Sequence, residues 1–83
     1  MKIKYSAWLR HSVGCDEEQI ALPAEVKNVG MLLDWLATRG GPYEKAFEFI
    51  AVVMVSVNQH YADRSQAVTD DDEVSLVPPI AGG

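Results

Sequence analysis

Three groups of residues in this chain carry atoms that could do chemistry: the closing pair Gly82-Gly83, the loop residues His11, Cys15 and Asp16, and the acidic run Asp70-Asp71-Asp72-Glu73. The closing pair points most sharply. Two residues without a Cβ can lie extended in a slot too narrow for any side chain. A second protein that must reach a terminal carboxylate and react there needs such a segment. Pro78-Pro79 ahead of it cannot join a helix and favours a stiff, extended exit from the preceding element. Residues 78–83 (Pro78, Pro79, Ile80, Ala81, Gly82 and Gly83) therefore read as an extended functional tail with its reactive group at Gly83.

The other two groups carry less. A catalytic cysteine needs a lowered pKa and a positioned base, and the adjacency of His11, Cys15 and Asp16 supplies neither. They read as an exposed thiol among polar loop neighbours. His11, Cys15 and His60 lack paired-ligand spacing such as Cys-x-x-Cys, so no metal is expected. The acidic run lacks the alternating ligands and the glycine of a calcium loop, and reads as a solvated turn. Gly30 and Gly40-Gly41 punctuate a helix and do not form a phosphate-cradling loop. The body of the chain thus offers no active site, and no bound cofactor is expected.

Short elements must position the tail. Ile3, Tyr5, Ala7 and Leu9 alternate with polar residues and Trp8, which predicts an opening strand. Gly14 suggests a turn, and Glu18, Ile20 and Leu22 alternate up to Pro23, so the two strands form an antiparallel hairpin with a long connection. Val29, Leu32, Leu33 and Leu36 fall at i, i+3, i+4 and i+7, the stripe of an amphipathic helix over Val29 to Arg39. Asn28 is its N-cap, and Gly40-Gly41-Pro42 ends it. Gly30 weakens that helix by about 1 kcal/mol relative to alanine, which packing must offset. Tyr43 to Phe49 reads as a short second helix. Ile50 to Val57 is rich in β-branched residues and reads as a covered strand. Asn58-Gln59 turns into an edge segment, His60-Tyr61-Ala62. A second turn at Asp70-Asp71-Asp72 leads into the last strand, Glu73 to Val77. The sum is an α+β fold, a sheet of four to five strands with one main helix across one face and the other face wet. In the last strand Val74 and Leu76 should meet the helix. Val77 then points to the wet face, where Tyr61 joins it as a small partner-binding surface.

Composition sets the class. Eighty-three residues are read as one domain, near the lower limit for folding without staples. One cysteine forbids an intramolecular disulfide and suits a reducing, cytoplasmic setting. The N-terminus does not read as a signal peptide, and the longest apolar run, Ile50 to Val55, is too short to span a membrane. A net charge of −5 argues against nucleic acid and suits a basic partner surface.

Val57-Asn58-Gln59, then Asp70-Asp71-Asp72-Glu73-Val74, then Pro78-Pro79-Ile80-Ala81-Gly82-Gly83 follow one another with a spacing that resembles the MoaD-like family, the small subunits of molybdopterin synthase. That family has a ubiquitin-like β-grasp fold. Its members carry a Val-Asn-Gln element, an Asp-Gly-Asp-Glu-Val turn and strand, and a Pro-Pro-x-x-Gly-Gly end. The motifs cover the last third of this chain. Asp71 stands where the family has its turn glycine, and Asp enters the left-handed region more readily than most residues. Leu76-Val77 stand where bulky aromatics often precede the two prolines.

The resemblance implies a sulfur-carrier cycle. An ATP-using, ubiquitin-activating-like enzyme adenylates the Gly83 carboxylate, and sulfur replaces AMP to give a thiocarboxylate. Pro78 to Gly82 enter a pocket of the large synthase subunit, and Gly83 gives its sulfur to cyclic pyranopterin monophosphate. The chain itself is then the sulfur-donating small subunit of a hetero-oligomer and not an enzyme alone. A carrier for thiamine or tRNA thiolation, and a ubiquitin-like modifier or binding module, remain the alternatives.

Overall fold

The computed structural model describes residues 1–6, 8–47 and 53–77. Eight elements follow in order: β1 (Lys2–Tyr5), α1 (Trp8–Val13), β2 (Glu17–Gln19), α2 (Val29–Ala37), α3 (Pro42–Ala46), β3 (Met54–Val57), β4 (His60–Ala62) and β5 (Glu73–Val77).

The strands form one sheet in the order β2-β1-β5-β3-β4. The first and last strands pair in parallel at its centre, with Ile3 opposite Val74 and Tyr5 opposite Leu76; the other three pairings are antiparallel. Residues of period two divide its faces. Ile3, Tyr5, Val55, Val57, Val74 and Leu76 point inward and are buried. Helix α2 supplies the other half of the core with Val29, Leu32, Leu33 and Leu36, none more than 3% exposed. Burying each such side chain stabilises by roughly 1.5–3 kcal/mol, the main source of cohesion in so small a chain. This is the mixed α+β sheet with a helix across one face that the pattern predicts.

Local chemistry explains why α2 sits where it does. The Asn28 side-chain oxygen accepts the Met31 N–H at 2.9 Å from an extended backbone, satisfying one of the helix's orphan donors. The Gly30 N–H donates to the Arg64 carbonyl at 2.9 Å, and a Cβ on Gly30 would sit 3.3 Å from that oxygen. The glycine that weakens the helix therefore lets the loop before β5 lie against its first turn. Val29 N–H donates to Gln66 O at 3.0 Å in the same seam.

Several expectations need correction. The opening strand does not run to Leu9: it stops at Tyr5, and Leu9 is buried on α1. Leu9 and Val13 are four apart and both buried, so they form a helical stripe as readily as Leu9 completes an alternation. Gly14, at φ 96°, ends that helix in a conformation other residues rarely adopt. The long hairpin connection is thus a helix, and α2 is one of three. Helix α2 stops at Ala37, capped by Thr38, and Pro42 opens α3 at its first helical position, where no N–H is needed. Among the described residues edge strand β2 pairs only with β1, so α2 links strands that are not neighbours. Strand β3 is described from Met54. Ala7, the end of the expected second helix and the start of the strand expected from Ile50 fall outside the described residues. Among the described residues no helix is long and apolar enough to cross a membrane.

Candidate functional site

Strand β5 lies between β1 and β3, and its last residue, half-buried Val77, hands the chain to the tail. The tail, Pro78 to Gly83, falls outside the described residues, and with it the expected reacting group. The platform it leaves from is well defined. At the start of β5, Asn58 N–H donates to Glu73 O at 2.8 Å and Glu73 N–H donates to Asn58 Oδ1 at 3.0 Å. The Asn58 amide also donates to Asp72 Oδ1 at 2.9 Å, while Asp72 Oδ2 accepts the Thr69 N–H at 2.8 Å. The Val-Asn-Gln and Asp-Asp-Asp-Glu motifs are thus two halves of one clamp at the start of β5. Asn58 and Gln59 take φ of 51° and 71°, the left-handed pair that a two-residue hairpin requires. Asp71, by contrast, is not left-handed, so the tolerance expected of it is not called upon. Asp72 closes the turn through Thr69 and needs no glycine there.

Among the described residues the other face of the sheet carries no helix. Its two halves differ. On β2 and β1, Lys2 approaches Glu17 at 3.7 Å, and across to β5 Lys4 approaches Glu73 at 3.8 Å. On β5, β3 and β4, Val77 lies directly opposite Met54, and Tyr61 lies opposite Ser56, a diagonal neighbour of Met54. Diagonal neighbours are about 7–8 Å apart, within reach of long and aromatic side chains. Tyr61 is 72% exposed and Met54 47%, and with Met31 on α2 they are the large exposed apolar residues among those described. Val77 and Tyr61 therefore share the open face as expected. Met54 completes the patch and was not foreseen. The signal was present, because with Val55 and Val57 inward Met54 must point out.

The loop group does not assemble a nucleophile. His11 is exposed and Cys15 half-buried, around a surface hollow of about 280 Å³ that also touches Arg10, Gly14 and Asp16. Burial, and then the nearby Glu18 and Asp16 carboxylates, push the Cys15 thiol pKa up. That is the wrong direction for a thiolate. Among the described residues no three His, Cys, Asp or Glu side chains gather as metal ligands.

A polar cluster beside Cys15 escaped the sequence reading. Glu18 faces the core side of β2, and its carboxylate collects three donors: Tyr5 OH at 2.7 Å, Tyr43 OH at 2.8 Å and Arg39 Nη1 at 2.9 Å. The Arg39 guanidinium lies 4.2 Å from the Tyr43 ring centre and 5.4 Å from that of Trp35. Burial alone would raise the Glu18 pKa, but these hydrogen bonds outweigh it and hold the carboxyl below its ordinary range. The same contact, with burial first, raises both tyrosines. The clue was a carboxylate at an inward position of an alternating strand, which must find partners or stay out.

The model of the ThiS family matches residues 3–83. The chain is 30% identical to the molybdopterin synthase sulfur carrier subunit of Escherichia coli (strain K12), over 100% of this chain and 99% of that relative. A putative molybdopterin converting factor, subunit 1, from Pyrococcus furiosus superposes with a TM-score of 0.77 at 33% identity, over 95% of each chain. Small archaeal modifier protein 1 from Haloferax volcanii superposes equally well, with a TM-score of 0.77 at 25% identity over 100% of this chain and 98% of that one. A clamped central strand opening into the tail, and a match running through that tail to residue 83, lead to one conclusion: the chain belongs to the ThiS family.

Proposed function

We propose that this chain is the sulfur-carrier subunit of a molybdopterin synthase, working in the cytoplasm through its Gly83 carboxylate. The observation that carries the reading is where the tail begins. It follows Val77, the last residue of the central strand, which is clamped at its start by Asn58 and shares the open face with exposed Met54 and Tyr61. A partner that covers the patch receives the tail at the same time. Family membership and the 30% identity to a sulfur carrier subunit support the same reading.

The chemistry follows from the weakness of a carboxylate as an electrophile. The Gly83 carboxylate attacks the α-phosphorus of ATP on an activating enzyme, expelling pyrophosphate and leaving an acyl-adenylate. Bisulfide, or a donor at the same oxidation level, adds to the activated carbonyl and expels AMP. The C–O bond to phosphate is exchanged for C–S, giving the thiocarboxylate. Docked on the large subunit, the thiocarboxylate sulfur bonds to cyclic pyranopterin monophosphate as a thioester. Water then adds to the Gly83 carbonyl, breaks its C–S bond and restores the carboxylate while the sulfur stays on the pterin. Pro78 to Gly82 serve as the inserting segment and Val77 and Tyr61 as the docking contact. Acid–base and phosphate-binding groups belong to the partner in this scheme, and no cofactor is held here.

The likeness to a small archaeal modifier protein favours a second reading, a modifier whose Gly83 is joined to lysine amines. The two readings share the acyl-adenylate and part at the nucleophile. Incubation with the activating enzyme, ATP and sulfide, with the large subunit and pterin substrate added second, separates them. The carrier gives a thiocarboxylate that disappears as dithiolene forms. A modifier gives isopeptide-linked products. A carrier for another pathway gives a thiocarboxylate that the large subunit does not consume.

A further inference from the structure

Strand β4 forms one edge of the sheet and pairs only with β3 among the described residues. The turn before it decides which of its backbone groups are free. Asn58 and Gln59 are both left-handed, so Val57 and His60 close a two-residue hairpin and exchange backbone hydrogen bonds. In an antiparallel ladder such exchanges fall on every second pair. Val55 and Ala62 are the next to bond, and Ser56 and Tyr61 between them do not. The Asn58 N–H, which reaches Glu73 O on β5, fixes the same alternation. The Tyr61 N–H and C=O therefore point away from the sheet, and among the described residues neither has a partner.

A surface hollow of about 300 Å³ adjoins that edge, lined by His60, Tyr61 and Ala62 of β4, by Gln66 and Ala67, and by Asp72. A free edge beside a hollow is what strand addition uses: main-chain bonds hold the added segment, and the hollow takes one of its alternate side chains. Charge identifies the occupant. Residues 57–77 hold five acids, Asp63, Asp70, Asp71, Asp72 and Glu73, against the single base Arg64. Asp70 and Glu73 face cations of this chain, the Met1 amine and Lys4. Asp63, Asp71 and Asp72 form no ion pair among the described residues, and they do not gather closely enough to hold a metal ion. Separated acids beside a polar hollow suit a cationic side chain. A second copy of this chain would instead set like charge against like.

We propose that the β4 edge binds an extended, basic segment of a partner protein. One residue of that segment exchanges hydrogen bonds with the Tyr61 N–H and C=O. Its neighbour, pointing to the opposite face, places a lysine or arginine side chain in the hollow beside Asp72. The inference stands apart from the carrier reading, because the free chain alone tests it.

The probe is a blocked peptide, acetyl-Thr-Val-Thr-Lys-Thr-Val-Thr-amide, titrated into the full isotope-labelled chain and followed by amide chemical shifts. Shifts at His60, Tyr61 and Gln66 should saturate. Replacing the peptide's lysine with glutamate should weaken binding at least about tenfold. N-methylation of the two threonines beside the lysine removes the bonding donor and should weaken it as much. Tyr61→Pro deletes the outward N–H at an edge position, where proline is admitted, and Tyr61→Ala removes the ring but keeps that donor. Binding, read at His60 and Gln66, should be lost in the first and persist in the second. Equal affinity for the lysine and glutamate peptides overturns the basic occupant. Undiminished binding of the N-methylated peptide overturns the strand pairing, whether or not Tyr61→Pro folds. Saturable shifts confined to the opposite edge, Glu17–Gln19, or none at millimolar peptide, overturn the site.

Discussion

The two faces of this sheet are made by alternate residues of the same strands, and they have opposite uses. Inward, Ile3, Tyr5, Val55, Val57, Val74 and Leu76 meet the leucines of α2 and are buried. Outward, one residue along, stand Lys2, Lys4, Glu73, Met54 and Val77, and Tyr61 on the edge strand. The covered face has no buried side-chain nitrogen or oxygen without a partner among the described residues; the open face keeps its largest apolar groups in water. An apolar side chain costs little to leave exposed singly, but Met54 and Tyr61 together with half-buried Val77 form the small apolar patch that the proposed docking uses. Stability is thus concentrated on one face; if the proposed docking uses the other, substitutions should separate along that line.

The largest effect belongs to the covered face. Leu33→Ala and Leu36→Ala each remove a buried side chain of α2 and leave a cavity at a cost of about 2–5 kcal/mol, a large part of what so small a fold possesses. Urea unfolding should show it as a lowered midpoint with unchanged slope. A loss below about 1 kcal/mol would mean that the helix stripe is not the core.

Next comes the clamp at the start of β5. Asn58→Ala removes a side chain that both donates to Asp72 and accepts from Glu73, and puts a less tolerant residue at φ 51°. Two lost hydrogen bonds and a left-handed alanine predict about 1–3 kcal/mol of destabilisation. Asn58→Gly keeps the conformation and should recover part of it, measured in the same urea series.

On the open face the effect should move from stability to binding. Val77→Asp sets a charge into the patch and should weaken association with the large subunit at least tenfold, about 1.4 kcal/mol. Unfolding should shift by no more than about 0.5 kcal/mol, as at other surface positions. Titration calorimetry that finds unaltered affinity would remove this face from the interface.

The gentlest effect is read as a slope. Glu18 is held below its ordinary carboxyl range when folded, so its contribution is present above the unfolded value and is lost as pH falls through the folded one. Tyr5 and Tyr43 are raised, so theirs is present below the ordinary tyrosine range and is lost as pH rises above it. Urea midpoints across this range should fall on both sides of neutrality, and Glu18→Gln should flatten both limbs. An unchanged acid limb in that variant would show that Glu18 is not among the carboxylates lost.

Local rules sufficed wherever one period dominated. The stripe of α2, its Asn28 cap, the turn at Asn58-Gln59 and the bounds of β4 and β5 were legible because each has a signal that no other structure shares. Leu9 was not, since four residues of alternation and one turn of helix bury the same positions when Val13 follows. Glu18 was read as part of a strand, but its partners come from β1 and the α2–α3 connection, and only the assembled fold brings them within 3 Å. Val77 was legible as an outward residue from parity, and Tyr61 was placed with it as part of the edge segment, which the β3–β4 register bears out. Their neighbour Met54 was masked by an expected strand covered on both faces, which left it no side to be exposed on.

The claim that most needs testing is that chemistry occurs at Gly83 and nowhere in the body of the fold. Intact-mass and fragment mass spectrometry after incubation with the activating enzyme, ATP and sulfide addresses it directly. Wild type and Cys15→Ala should both gain the mass of one oxygen exchanged for sulfur, located at Gly83, and a chain lacking Gly82 and Gly83 should gain nothing. A gain that vanishes in Cys15→Ala and survives loss of the two glycines would contradict the account.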